Sequence, residues 1–565
     1  MTEKQPTIIN TMKRNLRFIL LFCLGSILSA AACSDSSSDE TTDPNNKPGE
    51  GAIQSLTFSP DQVTLVAGES TVLTLTVTPE DADLKNCRWT SSNPDVANID
   101  PVSLTVDAYK AGSTTIGVAY SAEVRATCEV TVTAAPVVLK AIEVAPQSAQ
   151  LAIGGTVDMT ATFVPADAQV EGSVVWESSD PSVATVDAQG HVTALAIGIA
   201  QITAKAGDVT GTGYIEVYDA GDKHEFTFYQ FNIWEGLNNI SNGVDAFINQ
   251  LVELRPDAAS FCEFPSTSDA ERILSAAAKA LRERTGFYYW YNYRGGSGTR
   301  GLLTRHPIVE TGGVPSANGE SSWFYRTTID FYGQEISVYA SHAYHSYYAC
   351  YLPRGYGDGE SPYGWNPIYK EGSTTELAPI TDVQYILERE EMSGRTQIAK
   401  DLVADAFKQK AAGRLAVFGG DLNQPSHLDW TVEASNLFAR NGAVVAWPIS
   451  SYVISNGMKD AYREIWPNPV THPGITWPAN NPAARKQTTW APLTDDRDRI
   501  DYCYFMPDEK IAVTNAQIVG PTASVAFNKV EEDNYEELIA PVNDIWPSDH
   551  RALFITFEVQ CPANK

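Results

Sequence analysis

The chain repeats itself early, and the repeat fixes what its first third can fold into. Trp89-Thr90-Ser91-Ser92-Asn93-Pro94 returns as Trp176-Glu177-Ser178-Ser179-Asp180-Pro181, and Pro79-Glu80-Asp81-Ala82 returns as Pro165-Ala166-Asp167-Ala168. The offsets, 87 residues from Trp89 to Trp176 and 86 from Pro79 to Pro165, match one small sandwich domain. Each copy holds alternating runs such as Thr71-Val72-Leu73-Thr74-Leu75-Thr76-Val77, broken by Gly, Pro, Asn and Asp. A period of two buries one face of a strand and wets the other. Two all-β sandwiches are expected, at 52–135 and 138–219.

The second copy also carries Gly190, Val192-Thr193-Ala194 and Ile202-Thr203-Ala204, whereas the first has Val102-Ser103-Leu104-Thr105-Val106 at the glycine step. On these residues the repeats resemble bacterial Ig-like group 2 domains, which implies spacers rather than chemistry. Cys87 and Cys128 fall in one such domain, and an exported location permits a disulfide between them.

The N-terminus reads as an export signal. Lys13-Arg14 precedes an apolar run at 18–28, too short for a permanent span, and then Ser29-Ala30-Ala31-Ala32-Cys33. This resembles a bacterial lipobox, with 1–32 removed and Cys33 lipidated; the alternative is an ordinary secretory cut after Ala32. The polar stretch 33–51 reads as a disordered tether. Such a protein is expected to be lipid-anchored to the outer membrane, exposed at the cell surface, and to touch the membrane only through its anchor.

From about Glu225 the pattern changes. Strand-like runs at 226–233 and 257–264 alternate with helical spacing at 244–254, 268–284 and 395–410. This predicts a mixed α/β domain over 224–561. Most of its strands end in polar residues: Asn232, Glu263, His342, and Asp421 with Asn423; Asp501 sits in another, and Asp549-His550 precede the last. Carboxylates at loop-fed strand ends suit a hard cation such as Mg²⁺. Neutral Asn232 and Asn423 contact phosphate without repelling it. His342 and His550 donate to developing charge or relay a proton. His342 is preferred over His345 because it directly follows its strand. Asp495, Asp496 and Asp498 read as a solvated acidic loop, with a second cation site as the lesser alternative.

The series FNIW, FCEF, SHAYH, GGDLNQPS, RIDY and SDH, in this order, resembles the endonuclease/exonuclease/phosphatase family across roughly 224–560. The resemblance implies a four-layer α/β sandwich of two packed mixed β-sheets flanked by helices, the pancreatic deoxyribonuclease-like fold. It implies Glu263 as primary Mg²⁺ ligand, assisted by Asn232 and Asp549, with Mn²⁺ a substitute. Asp421 would activate water, while Asn423 and His342 bind the phosphate. His550 would handle the proton, with Asp501 fixing its tautomer, and Arg326 would face the phosphate.

The family does not fix the substrate. The chain has 69 Asp and Glu against 40 Lys and Arg, a net charge of −29, the wrong balance for gripping long nucleic acid. Aromatic runs at 287–293 and 344–365, and the segment 426–430, are candidate pocket walls. The expected activity is a phosphodiesterase or phosphatase for a small sugar, inositol or lipid head-group phosphate, with no obligate protein partner. A secreted metal-dependent nuclease is the alternative, and a catalytically dead binding or adhesion lipoprotein a remote one.

Overall fold

The computed structural model describes residues 52–170, 172–295, 299–316, 319–320, 323–542 and 545–563. Cys33, the signal segment 1–32 and the tether 33–51 lie outside the described residues. No helix among the described residues is long and apolar enough to cross a membrane.

The two repeats have the same strand order. In the first, Gln62–Val66 pairs parallel with Arg125–Thr133, followed by Gly112–Ala119 and Arg88–Ser91. In the second, Ser148–Ala152, Val209–Tyr218, Gly198–Ala206 and Val175–Ser178 repeat that order. The lost glycine step has a physical residue. Gly190 has φ 87°, and a Cβ there would lie 2.4 Å from the Met159 carbonyl. Leu104, its counterpart 86 residues earlier, keeps the left-handed backbone at φ 59°.

The expected Cys87–Cys128 disulfide is not formed, and both residues are free thiols. Cys87 enters the Arg88–Ser91 strand and Cys128 lies in Arg125–Thr133, with Gly112–Ala119 between them. Two strand spacings are about 9.5 Å, beyond the Cα separation a disulfide spans.

In the C-terminal domain a seven-stranded sheet centres on Lys223–Asn232, between Ala258–Phe264 and Ala552–Gln560. A six-stranded sheet centres on Gln334–His342 and Leu415–Asp421, followed by Asp501–Phe505. Alternation divides each strand. Phe226 and Phe228 join Val338, Val417, Phe505 and Phe557 between the sheets. Tyr229 and Phe231 turn outward beneath the helices Gly243–Leu254 and Thr267–Thr285. The Thr267–Thr285 helix starts where Ser266 accepts from the Asp269 N–H and stops at Gly286, φ 81°. Helices Thr396–Ala411 and Pro448–Ser455 cover the second sheet. Four layers result, as the resemblance implies.

Gly419 and Gly420 are packing residues. A Cβ on Gly419 would lie 2.3 Å from Ser260 Oγ and 2.6 Å from Phe228 Cζ across the sheet interface. Gly419→Val is expected to destabilise the domain by about 1–3 kcal/mol through overpacking. An earlier urea midpoint at unchanged slope would show it; an unshifted midpoint would refute it.

The second Ig-like domain is more than a spacer. Tyr288 Oη donates to Gln147 Oε1 at 2.7 Å, and Tyr332 Oη to Glu216 Oε1 at 2.6 Å. Gln150 Nε2 bridges Glu216 and the buried His306 ring. Arg305 lies 3.4 Å from the same Glu216. Glu216→Ala is expected to speed limited proteolysis between this domain and the next, read by peptide mapping.

Candidate active site

Register explains why the polar residues meet. Asn232 ends its strand beside Cys262, in parallel pairing, so Asn232 and Glu263 finish together. His342 and Asp421 are parallel register partners at the last position of their strands. Asp501 begins an antiparallel strand opposite Asp421. Ser548-Asp549-His550 lead into the strand antiparallel to Lys223–Asn232. Ser548 Oγ donates to the Asn232 carbonyl at 2.7 Å and receives the His550 N–H at 3.1 Å. All eight groups therefore face one end of the sandwich. Glu263 (φ 68°) and Asn423 (φ 47°) hold left-handed backbone there, a cost of order 1–3 kcal/mol each that functional sites tolerate.

Asn232 sits at the centre. Its Nδ2 lies 2.9 Å from both Glu263 Oε1 and Asp421 Oδ2, and 3.3 Å from His550 Nε2. The Asn423 N–H donates to Asp421 Oδ1 at 2.7 Å, and its Nδ2 lies 3.4 Å from His342 Nε2. His342 Nε2 is 3.4 Å from Glu263 Oε1. Arg300 donates to the His342 carbonyl at 2.9 Å. His550 Nδ1 meets Asp501 Oδ2 at 2.9 Å, and Gln230 Nε2 donates to the other Asp501 oxygen at 3.0 Å. Trp477 Nε1 donates to Asp549 Oδ2 at 3.2 Å. Gln230, Arg300 and Trp477 are supporting residues that no sequence motif announced.

Crowding shifts the titrations. Burial, then the Asp501 charge, pushes the Asp421 carboxyl up to about 8. Burial, with Glu263 nearby, pushes Asp549 up to about 7. Burial also raises Glu263, but the His342 and His550 charges and the Asn232 and Glu235 hydrogen bonds outweigh it and hold it below the usual value. Burial lowers His342 to about 4. Burial opposes charge on His550 too, yet the Asp501 charge and hydrogen bond, with Asp549 and Asp421, raise it to about 10. Carboxylates that hinder one another's ionisation, with oxygens converging on one point, fit a divalent cation. The ligand atoms of Glu263, Asp421 and His550 lie within 4.8 Å of one another. Asp421 thus joins this group in addition to the water-activating role expected of it.

The sequence pattern of the endonuclease/exonuclease/phosphatase family matches residues 229–550. The chain belongs to this family. Family membership supports phosphoesterase or nuclease chemistry in general. The bacterial Ig-like domain (group 2) pattern matches 52–132 and 138–217. An uncharacterised protein of Caenorhabditis elegans is 23% identical over 333 residues, 58% of this chain and 89% of that protein. Among solved structures, TDP2 from Caenorhabditis elegans is similar with TM-score 0.33 and 17% identity, covering 60% of this chain and 75% of that one. The human Nocturnin catalytic domain with bound sulfate has TM-score 0.30 and 14% identity, covering 60% and 97%.

In this member of the endonuclease/exonuclease/phosphatase family the cluster floors a pocket of about 290 Å³. Its walls include Trp234, His345, Tyr348, Trp477 and Trp490. Of the aromatic runs, only His345 and Tyr348 from 344–365 reach it. The 287–293 run packs elsewhere, Phe287 under Arg305 and Tyr288 on the second Ig-like domain. In 426–430, Trp430 is core, and His427 and Leu428 line a separate cavity.

Arg326 is not phosphate-facing. It is buried, its Nη1 donating to both Asp405 oxygens at 3.1 and 2.9 Å and its Nη2 to Glu310, so the guanidinium serves packing against the Thr396–Ala411 helix. The acidic loop is not solvated. Asp498 is fully buried between Arg354 and Arg440, and Asp496 accepts from Tyr351 and Thr489.

Proposed function

We propose that this protein is a Mg²⁺-dependent phosphodiesterase or phosphatase for a small phosphorylated compound. The observation that carries the reading is the narrow aromatic pocket over the carboxylate–histidine cluster, with no Lys or Arg among its described lining residues. A nuclease for long duplexes needs a cationic track for the phosphate backbone. Glu263, Asp549 and Asp421 would hold the cation, while Asn232, expected as a ligand, turns its Nδ2 to Glu263 and Asp421 and its Oδ1 to the Trp234 N–H, and so positions those carboxylates instead. When bound, it supplies Lewis-acid polarisation of a phosphoryl oxygen.

The chain's own residues then divide the work. Asp421, anchored by the Asn423 N–H and Asn232 Nδ2, orients the attacking water through its carboxylate. Asn423 Nδ2 and His342 Nε2 stand side by side to hold phosphoryl oxygens. His550, fixed by Asp501 at Nδ1, presents Nε2 to the developing charge or leaving oxygen. We place the enzyme outside the cell, lipid-anchored through Cys33 to the outer membrane, on the strength of the N-terminal sequence.

The test is a substrate panel for the full chain: bis-p-nitrophenyl phosphate, sugar and inositol phosphates, lipid head-group esters, and supercoiled plasmid at physiological salt. Mg²⁺-dependent turnover of small esters without plasmid cutting is expected. Plasmid cutting faster than small-ester turnover would instead establish the nuclease.

A further inference from the structure

We propose that Arg395, backed by Glu390, is a positioning residue that holds His342 and Asn423 side by side over the phosphate. The inference rests on the hydrolase reading above and deepens it by naming what aims two of its groups.

His342 and Asn423 leave neighbouring strands and enter different loops, yet their Nε2 and Nδ2 atoms stand 3.4 Å apart. The Ala343 carbonyl accepts from Asn423 Nδ2 at 3.1 Å, and past that point a buried ion pair holds the loops together. Arg395 stands at the start of the Thr396–Ala411 helix. Its Nη1 donates to the Tyr344 carbonyl at 2.8 Å and its Nη2 to the Tyr347 carbonyl at 2.7 Å. One guanidinium thus closes the turn that follows His342. Tyr347 has left-handed backbone there, φ 55°, a conformation that persists only under such restraint. Arg395 also grips Glu390, Nε to Oε1 at 2.8 Å and Nη2 to Oε2 at 2.6 Å. Glu390 Oε1 in turn accepts from Gln424 Nε2 at 2.7 Å. Gln424 follows Asn423 in the chain, and its Oε1 accepts the Ile449 N–H at 2.9 Å. The link from one loop to the other therefore runs through two charged side chains, 0% and 1% exposed.

The chemistry of the link argues for aim over stability. A buried ion pair gains little over apolar residues of equal volume, because both charges lose their water. What it adds is direction, since a planar guanidinium bonds two carbonyls and a carboxylate at fixed angles. The helix Val383–Glu391, which carries Glu390, anchors the same turn a second time. Its Arg389 clamps the Asp358 carboxylate at 2.7 and 2.8 Å, and the Asp358 carbonyl receives the Tyr348 N–H at 2.9 Å. Arg395 is not among the described residues lining the pocket, so its effect reaches the phosphate through the loops.

The experiment is a double-variant cycle on the full chain, with bis-p-nitrophenyl phosphate and Mg²⁺. Arg395→Lys keeps the charge but cannot span two carbonyls and a carboxylate. It is expected to lower kcat by about ten- to a hundredfold, the scale of losing a group that orients a site residue from behind. The Mg²⁺ concentration for half-maximal rate is expected to stay the same, because the cluster carboxylates are untouched. In a His342→Ala background the same substitution is expected to cost much less, since one of the groups it aims is already gone. An equal cost in both backgrounds, or a raised Mg²⁺ requirement, means general loosening and overturns the proposal. Crystal structures of the parent and of Arg395→Lys give a reading without catalysis. The separation of 3.4 Å between Asn423 Nδ2 and His342 Nε2 is expected to widen while Glu263 and Asp549 keep their places; an unchanged separation overturns the proposal. A parent that hydrolyses no phosphoester sinks the hydrolase reading alone, and the structural comparison still decides the role of Arg395. If Arg395→Lys does not fold, Glu390→Gln, which keeps the volume and one acceptor oxygen, takes its place under the same criteria.

Discussion

Glu263→Ala is expected to lower kcat/KM on bis-p-nitrophenyl phosphate by about two to three orders of magnitude, the scale of losing one preorganised electrostatic group. Glu263 is the part-exposed carboxylate of the cluster, facing the pocket, and it accepts from Asn232 Nδ2 and from the Glu235 N–H. Its removal takes away both a ligand oxygen and the acceptor that aims the Asn232 amide. Glu263→Gln separates these roles. The amide oxygen still accepts from Asn232 and the volume is unchanged, but the charge is gone. If cation binding is the main role, Gln is nearly as damaging as Ala, and higher Mg²⁺ recovers part of the loss for Gln only. If aiming Asn232 is the main role, Gln retains most of the rate. Urea midpoints measured alongside exclude unfolding. A Glu263→Ala enzyme with more than a tenth of the parent rate would remove Glu263 from the metal centre.

The convergence of these polar residues was legible because it obeys local rules. Asn232, Glu263, His342 and Asp421 each end a run with strand periodicity, and parallel register brings such ends together whatever the loops do. What the motifs did not carry was which face a residue takes. Arg326 lies on a strand beside that of His342, but its side chain points to Asp405 on a helix 79 residues away. The Asp495–Asp498 loop reads as solvated because its charges are dense, and only the fold brings Arg354 and Arg440 to Asp498. Trp477 and Trp490 belong to a long irregular segment without periodicity, so their convergence on the pocket is a tertiary event. The Cys87–Cys128 expectation failed for a related reason. Strand order in a sandwich is decided by pairing, and two cysteines on strands of one sheet can still have a third strand between them.

The Asp501–His550 pair is expected to behave as one unit. Asp501→Asn and His550→Ala should each lower kcat by about 10²–10⁴-fold, and the double variant should be no worse than the poorer single one. The reason is that Asp501 bonds directly to the ring, although its charge also raises the Asp421 carboxyl. It is fully buried, touches His550 Nδ1 at 2.9 Å and is steadied by Gln230. Without its charge, the burial that opposes an imidazolium prevails, and the ring no longer holds a proton at Nε2 for the leaving oxygen. Without the ring, Asp501 has nothing to orient. Independent contributions would multiply instead, giving a double variant far below either single one. Leaving groups add a second reading. A nitrophenolate needs little protonation and an alkoxide much, so both variants should lose more rate on an alkyl ester than on its nitrophenyl counterpart. Equal losses on the two esters would mean that His550 only binds phosphate and that the proton reaches the leaving oxygen from elsewhere.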